Sequence, residues 1–172
     1  MHGYFSAKFS FSPRSALKFY IKECGRENWE KFSVHHYLSG NLNRNSKCYG
    51  CYNEQNEIIG FCAFIYYPHP KVKIRKVHRI VILPDYQGCG IGKKFLTEVT
   101  KIEQNKNPYH RINISTSSFF FAKGLEKSPE WKITHKKFYS TQKGSITLLS
   151  RKTIIYTVEF KKNGIFKTKR NS

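Results

Sequence analysis

The sequence predicts a mixed α/β (α+β) fold, a central sheet of six to seven strands flanked by about four helices. Three stretches carry that expectation. From Lys76 to Glu98 the chain passes from a strand pattern through glycines into a helical pattern. Residues 47–52 and 58–67 are two apolar, β-branched and aromatic segments around a polar turn, Asn53 to Glu57, the mark of a hairpin. Near the end, the apolar residues Ile154, Tyr156, Val158 and Phe160 recur at every second position. Alternation at a period of two places one side of a strand against a core.

Taken in order, Phe5, Ala7, Phe9 and Phe11 alternate as a first strand. Ser12-Pro13 has the form of an N-cap and first helical position. Ala16, Leu17, Tyr20 and Ile21 continue at helical spacing, and Cys24-Gly25 closes that helix. Trp29, Phe32, Val34, His36, Tyr37 and Leu38 predict a second helix, followed by a polar loop from Ser39. The hairpin follows and ends at Pro68-His69-Pro70; Lys71 to Lys76 is a basic connector. The next strand, Val77 to Leu83, fades from alternation into a continuous apolar run, as in a strand buried on both faces. Pro84 has no N–H for a ladder and stops it. After the glycines, Ile91, Phe95, Leu96 and Val99 share a helix face. Pro108 breaks the chain, and Arg111 to Thr116 is a strand. Ser117 caps a short helix, Phe119 to Leu125. Residues 131–139 and 145–160 are the last two strands, joined through Thr141 to Ser145. The expected organisation is one domain over 1–160 and a basic tail over 161–172.

The net charge is +20, with 31 Lys and Arg against 11 acids. A field of that size attracts phosphate polymers and acidic ligands. The lysine-rich composition of an AT-rich genome gives the same balance, so charge alone does not decide between them. No apolar run reaches the length of a membrane span, and Met1-His2-Gly3-Tyr4 lacks a signal-peptide core. The expected setting is cytoplasmic. Five scattered cysteines include a lone Cys48-x-x-Cys51 without a second pair or a His pair for zinc, so no metal site is read from them.

The glycine-rich turn holds the chemistry. A turn that opens a helix presents free backbone N–H groups at the positive end of the helix dipole, which is a phosphate site. The spacing Gly88-x-Gly90-x-Gly92 fits neither the P-loop nor the Gly-x-Gly-x-x-Gly dinucleotide fingerprint. The block Leu83-Pro84-Asp85-Tyr86-Gln87-Gly88-Cys89-Gly90-Ile91-Gly92 does resemble the pyrophosphate loop of GCN5-related N-acetyltransferases (GNAT). The family pattern Gln/Arg-x-x-Gly-x-Gly/Ala falls on Gln87, Gly90 and Gly92.

That resemblance implies a GNAT fold splayed at the cofactor strand and an enzyme moving an acyl group from acetyl-CoA, or a related acyl-CoA, to an amine. The backbone of Val81, Ile82 and Leu83 would pair with the pantetheine arm. Gln87 belongs to the loop, and Gly88, Cys89, Gly90, Ile91, Gly92 and Lys93 would hold the pyrophosphate. The catalytic candidates are His36, Tyr37 and Ser115; an unperturbed His titrates in the range a general base needs. The chain departs from the family where a tyrosine that protonates the leaving thiolate is usual: Glu126 stands there, and Tyr37, Tyr139 or water would substitute.

A second, smaller resemblance rests on His35-His36-Tyr37, Pro68-His69-Pro70 and Ser128-Pro129-Glu130-Trp131-Lys132. These are similar to mobile-element members of the same fold, including phage Mom-type enzymes that modify adenine in DNA, with which a His/Tyr-held iron is associated. Three functions are therefore open: acyl transfer to an amine, Mom-type DNA modification on a flipped or single-stranded base, and nucleic-acid binding without catalysis through the basic surface and tail.

Overall fold

The structure is a computed structural model that describes residues 18–36, 41–88, 90–140 and 152–161. Among them are seven strands and three α-helices, the α+β class that the sequence predicts. The chain divides into two compact units, residues 1–112 and 113–172.

The first unit is built on an antiparallel meander of β1 (Tyr20–Glu23), β2 (Lys47–Tyr52), β3 (Ile58–Tyr67) and β4 (Ile74–Ile82). The β2–β3 hairpin has the boundaries expected from its apolar pattern. Asn56 takes a left-handed φ of 61° in its turn, and the Asn53 side-chain oxygen accepts from the Glu57 N–H at 2.8 Å. Asn tolerates that conformation because its short polar side chain bonds locally.

Alternation sends the two faces of the meander to different partners. One face carries Cys48, Phe61, Ala63 and Val81, packed with Trp29 and Phe32 of the short helix α1 (Trp29–Ser33) and with Leu42. The other carries Tyr49, whose hydroxyl donates to Glu103 on α2 (Ile91–Lys106). Ile91, Phe95, Leu96 and Val99 are buried as their spacing predicts.

Glu103 is the costliest group in this unit to place, since it is 1% exposed. Tyr49 Oη donates to its Oε1 at 2.5 Å and Asn107 Nδ2 to its Oε2 at 3.1 Å; Arg75 Nε lies 3.6 Å away, an ion-pair distance. The carboxylate thereby ties α2 to β2 and β4. Glu103→Ala leaves a buried hydroxyl and a buried guanidinium without their acceptor, so a loss of about 3–5 kcal/mol in urea unfolding is expected. Glu103→Gln keeps an acceptor oxygen and should cost roughly half as much.

One expectation fails here. Residues 20–23 are a strand rather than the end of a helix running from 13 to 24. Phe19 and Ile21 are buried, two residues apart, and Ile21 stands opposite Cys51 of β2. The pairing partner, 30 residues away, decides the state. Three α-helices instead of four are accordingly found among the described residues. The first strand expected over 5–11 lies outside them, as do Tyr37, Cys89 and residues 162–172 of the expected tail.

In the second unit β5 (Arg111–Thr116), which begins at the close of the first, pairs with β7 (Lys152–Phe160), and β7 with β6 (Trp131–Ser140), all antiparallel. Trp131 and Phe160 meet edge to face at 5.2 Å. The helix α3 (Phe119–Glu126) buries Ala122 and Leu125. Its cap is Ser118 rather than Ser117: the Ser118 Oγ accepts from the Phe121 N–H at 3.2 Å.

Candidate functional site

The turn between β4 and α2 has the geometry its glycines suggested. Leu83 is held to β3 by its N–H donating to Ile59 O at 2.9 Å. Pro84 to Tyr86 form one 3-10 turn. The Gln87 side chain then donates to Ile82 O at 2.7 Å, latching the turn back onto the strand end. Gly88 and Gly90 have φ of 84° and 81°, left-handed values at which any Cβ is strained. A Cβ built on Gly88 meets nothing within 4 Å, so open space lies beside the backbone there.

Gly90 is the residue before the first turn of α2 and offers no side-chain cap, and no acid stands in that turn. The first N–H groups of a helix have no acceptor within it. Ile91, Gly92 and Lys93 form that first turn, where the dipole and the Lys93 and Lys94 charges favour an anion. Gly92 is a helical residue, and a Cβ there would sit 3.5 Å from Ile82 Cγ1, an ordinary contact. Packing therefore does not demand glycine at 92. The residues fit a pyrophosphate.

The second part of the site was not read from the sequence. Along β3 and β4, Ala63 stands opposite Arg79 and Phe64 opposite Val77, which leaves His78 as the extra residue of a β-bulge. Bulges re-aim side chains and gather next to active sites. Nδ1 of His78 is buried without a hydrogen-bond partner. Burial holds its imidazole below the usual histidine range, and the charges of Arg79, His36 and Lys76 add to the effect. Arg79 lies over the Trp29 ring at 5.8 Å, and His36 packs against the same ring edge-on at 5.6 Å. One tryptophan thus gathers His36 and Arg79, and His36 is electrostatically coupled to His78. The signal available earlier was only that His78 and Arg79 interrupt an apolar strand.

Of the catalytic candidates, His36 lies in this cluster. Tyr37 lies outside the described residues. Ser115 is a half-buried residue of β5 in the second unit, opposite Thr157. Glu126, aligned by the resemblance with the family's usual tyrosine, accepts from Lys123 at 2.6 Å; that ammonium holds its carboxyl below the usual range, so it has no proton to give near neutrality. The four described cysteines are free thiols, and burial pushes Cys24 up to about 12 and Cys48 up to about 11. Among the described residues no three His, Cys, Asp or Glu side chains gather to hold a metal, and no helix is long and apolar enough to cross a membrane.

Residues 14–119 match the model of the acetyltransferase (GNAT) family. No curated protein matches the sequence as a relative. Among solved structures, an IAA acetyltransferase from Bacillus cereus is 15% identical over 83% of this chain and 99% of its own, at a TM-score of 0.59. The ribosomal-protein-S18-alanine N-acetyltransferase of Escherichia coli is 13% identical over 86% and 99%, also at 0.59. Arabidopsis thaliana Naa50, solved with the bisubstrate analogue CoA-Ac-MVNAL, is 15% identical over 82% and 97%, at 0.57. At such identities the likeness is one of fold.

Proposed function

Because this chain belongs to the acetyltransferase (GNAT) family of N-acyl-transferring enzymes, we propose that it binds acetyl-CoA, or a related acyl-CoA, at the Gly88–Lys93 turn and transfers the acyl group to an amine. The observation that carries the reading is the helix start itself: two left-handed glycines, no side-chain cap, no acid in the first turn, and open space beside Gly88. Bound there, acyl-CoA supplies a thioester whose C–S bond is exchanged for a C–N bond to the acceptor.

The chain's own residues do the rest. Backbone N–H groups of 88–93 hold the pyrophosphate, and Lys93 adds a cation. Val81 to Leu83 offer backbone to the pantetheine arm. His78, kept neutral by its surroundings, takes the proton the amine must lose. His36, on the same Trp29 ring, is the candidate to pass that proton on. Tyr37 or water remains the candidate for protonating the departing thiolate. Buried, free thiols accord with a reducing, cytoplasmic setting.

Incubating the protein with acetyl-CoA and separate amine classes tests the reading. Useful acceptors are a polyamine and a peptide amino terminus, the latter as for the ribosomal-protein-S18-alanine N-acetyltransferase neighbour. The expected result is amine-dependent release of CoA thiol with acetylated product by mass. Thiol release no faster than in buffer with every amine, from protein that binds acetyl-CoA, would remove the catalytic assignment while leaving the cofactor site.

A further inference from the structure

The second unit is strongly basic. Residues 113–172 hold 13 Lys and Arg against 3 acids. All three acids are engaged: Glu126 with Lys123, Glu130 with the Ser128 hydroxyl, and Glu159 opposite Lys132 in the β6–β7 ladder. On β6, the edge strand, Lys132, His135, Lys136 and Lys137 are exposed.

Large aromatics stand in the same region. Phe120 is 86% exposed, Phe138 69% and Phe119 47%. Phe119 lies 5.7 Å from Phe120 and 5.9 Å from Tyr156. Tyr156 is opposite Lys136, and Ile154 is opposite Phe138. Cross-strand partners share a face, so Lys136 and Phe138 lie on the side of the unit that α3 covers in part. Exposed rings of this size among cations mark a contact surface rather than a bare exterior.

We propose that this face binds single-stranded nucleic acid, with bases stacking on Phe120 and Phe138 and a backbone phosphate held by Lys136. The combination selects the partner class. Lysines alone would suit any polyanion, but flat exposed rings gain most from flat faces laid on them, and unpaired bases offer those. A duplex hides its base faces in the stack. An acidic peptide supplies the charge and nothing to cover the rings.

Fluorescence anisotropy with labelled oligonucleotides of about 12 nucleotides, deoxythymidine and uridine, and with a duplex of equal length, tests the proposal at several salt concentrations. Both single strands should bind, the duplex more weakly. The double variant Phe120→Ala, Phe138→Ala should weaken single-strand binding about 30-fold or more without changing the salt dependence. Lys136→Gln should instead lower the slope of log affinity against log salt by about 0.7. Acetyl-CoA titration of each variant reports the fold, and a parent that fails to bind acetyl-CoA would sink the turn assignment without touching this one. Undiminished oligonucleotide binding by the aromatic variant would overturn the proposal. So would a duplex that binds more tightly than the single strands, or poly-glutamate that displaces the oligonucleotide at equal charge concentration.

Discussion

Gly90→Glu eliminates measurable acetyl-CoA binding while the protein remains folded. Position 90 has φ 81°, so any side chain there carries the left-handed penalty of about 1–2 kcal/mol. The same carboxylate sits at the N-terminus of α2, where a negative charge stabilises a helix by about 0.3–1 kcal/mol. The two nearly offset, and the melting temperature should fall by only a few degrees. Binding is different, because the carboxylate occupies the N–H groups that the pyrophosphate needs and repels it as well. A weakening of about 100-fold or more is expected, equivalent to about 3 kcal/mol. Gly92→Ala is the informative control. Its Cβ makes an ordinary contact with Ile82 at 3.5 Å, so stability should hold. Any loss of affinity it shows measures how closely the phosphate approaches that backbone. Parental affinity in Gly90→Glu would place the cofactor elsewhere.

His78→Asn lowers kcat/KM by about 10²–10⁴-fold and leaves acetyl-CoA affinity at the parental value, as loss of a base outside the cofactor site requires. The pH dependence fixes the residue's role. Burial and the charges of Arg79, His36 and Lys76 disfavour the imidazolium in the folded protein. The unfolded chain therefore takes up this proton more readily, and stability falls as the pH drops from the unfolded value of about 6.5 through the lower folded value. Above that window the residue contributes no pH dependence. In the parent, activity should fall in the acid range through an apparent pKa below the ordinary histidine value. In His78→Asn both that limb and the acid slope of stability should flatten. A variant with full activity and an unchanged profile would leave His36 as the base.

What was legible in the sequence was local. The hairpin boundaries follow from apolar segments around Asn53 to Glu57, and Arg111 to Thr116 from its own pattern. The glycine turn was legible because backbone geometry demands glycine at 88 and 90 whatever the rest of the chain does. What failed was relational. The strand at Tyr20–Glu23 exists because Ile21 finds Cys51, and four residues are too few to distinguish a strand from a helical turn by spacing. His78 is set apart by a slip in register between Ala63 and Phe64 on another strand, which no pattern within β4 records. Glu103 falls in a run of polar residues on α2, yet it is buried by a tyrosine 54 positions earlier. The charge of the second unit was visible in the composition, but its meeting with exposed aromatics on one face required the β6–β7 register.

Calorimetric titration of the parent protein with acetyl-CoA, run beside Gly90→Glu, tests the central claim most directly. The assignment of the β4–α2 turn predicts one site per chain with micromolar affinity, saturable heat in the parent, and none above dilution in a variant that still unfolds cooperatively. No binding by the parent, or equal binding by both proteins, would contradict the account of this turn as the cofactor site.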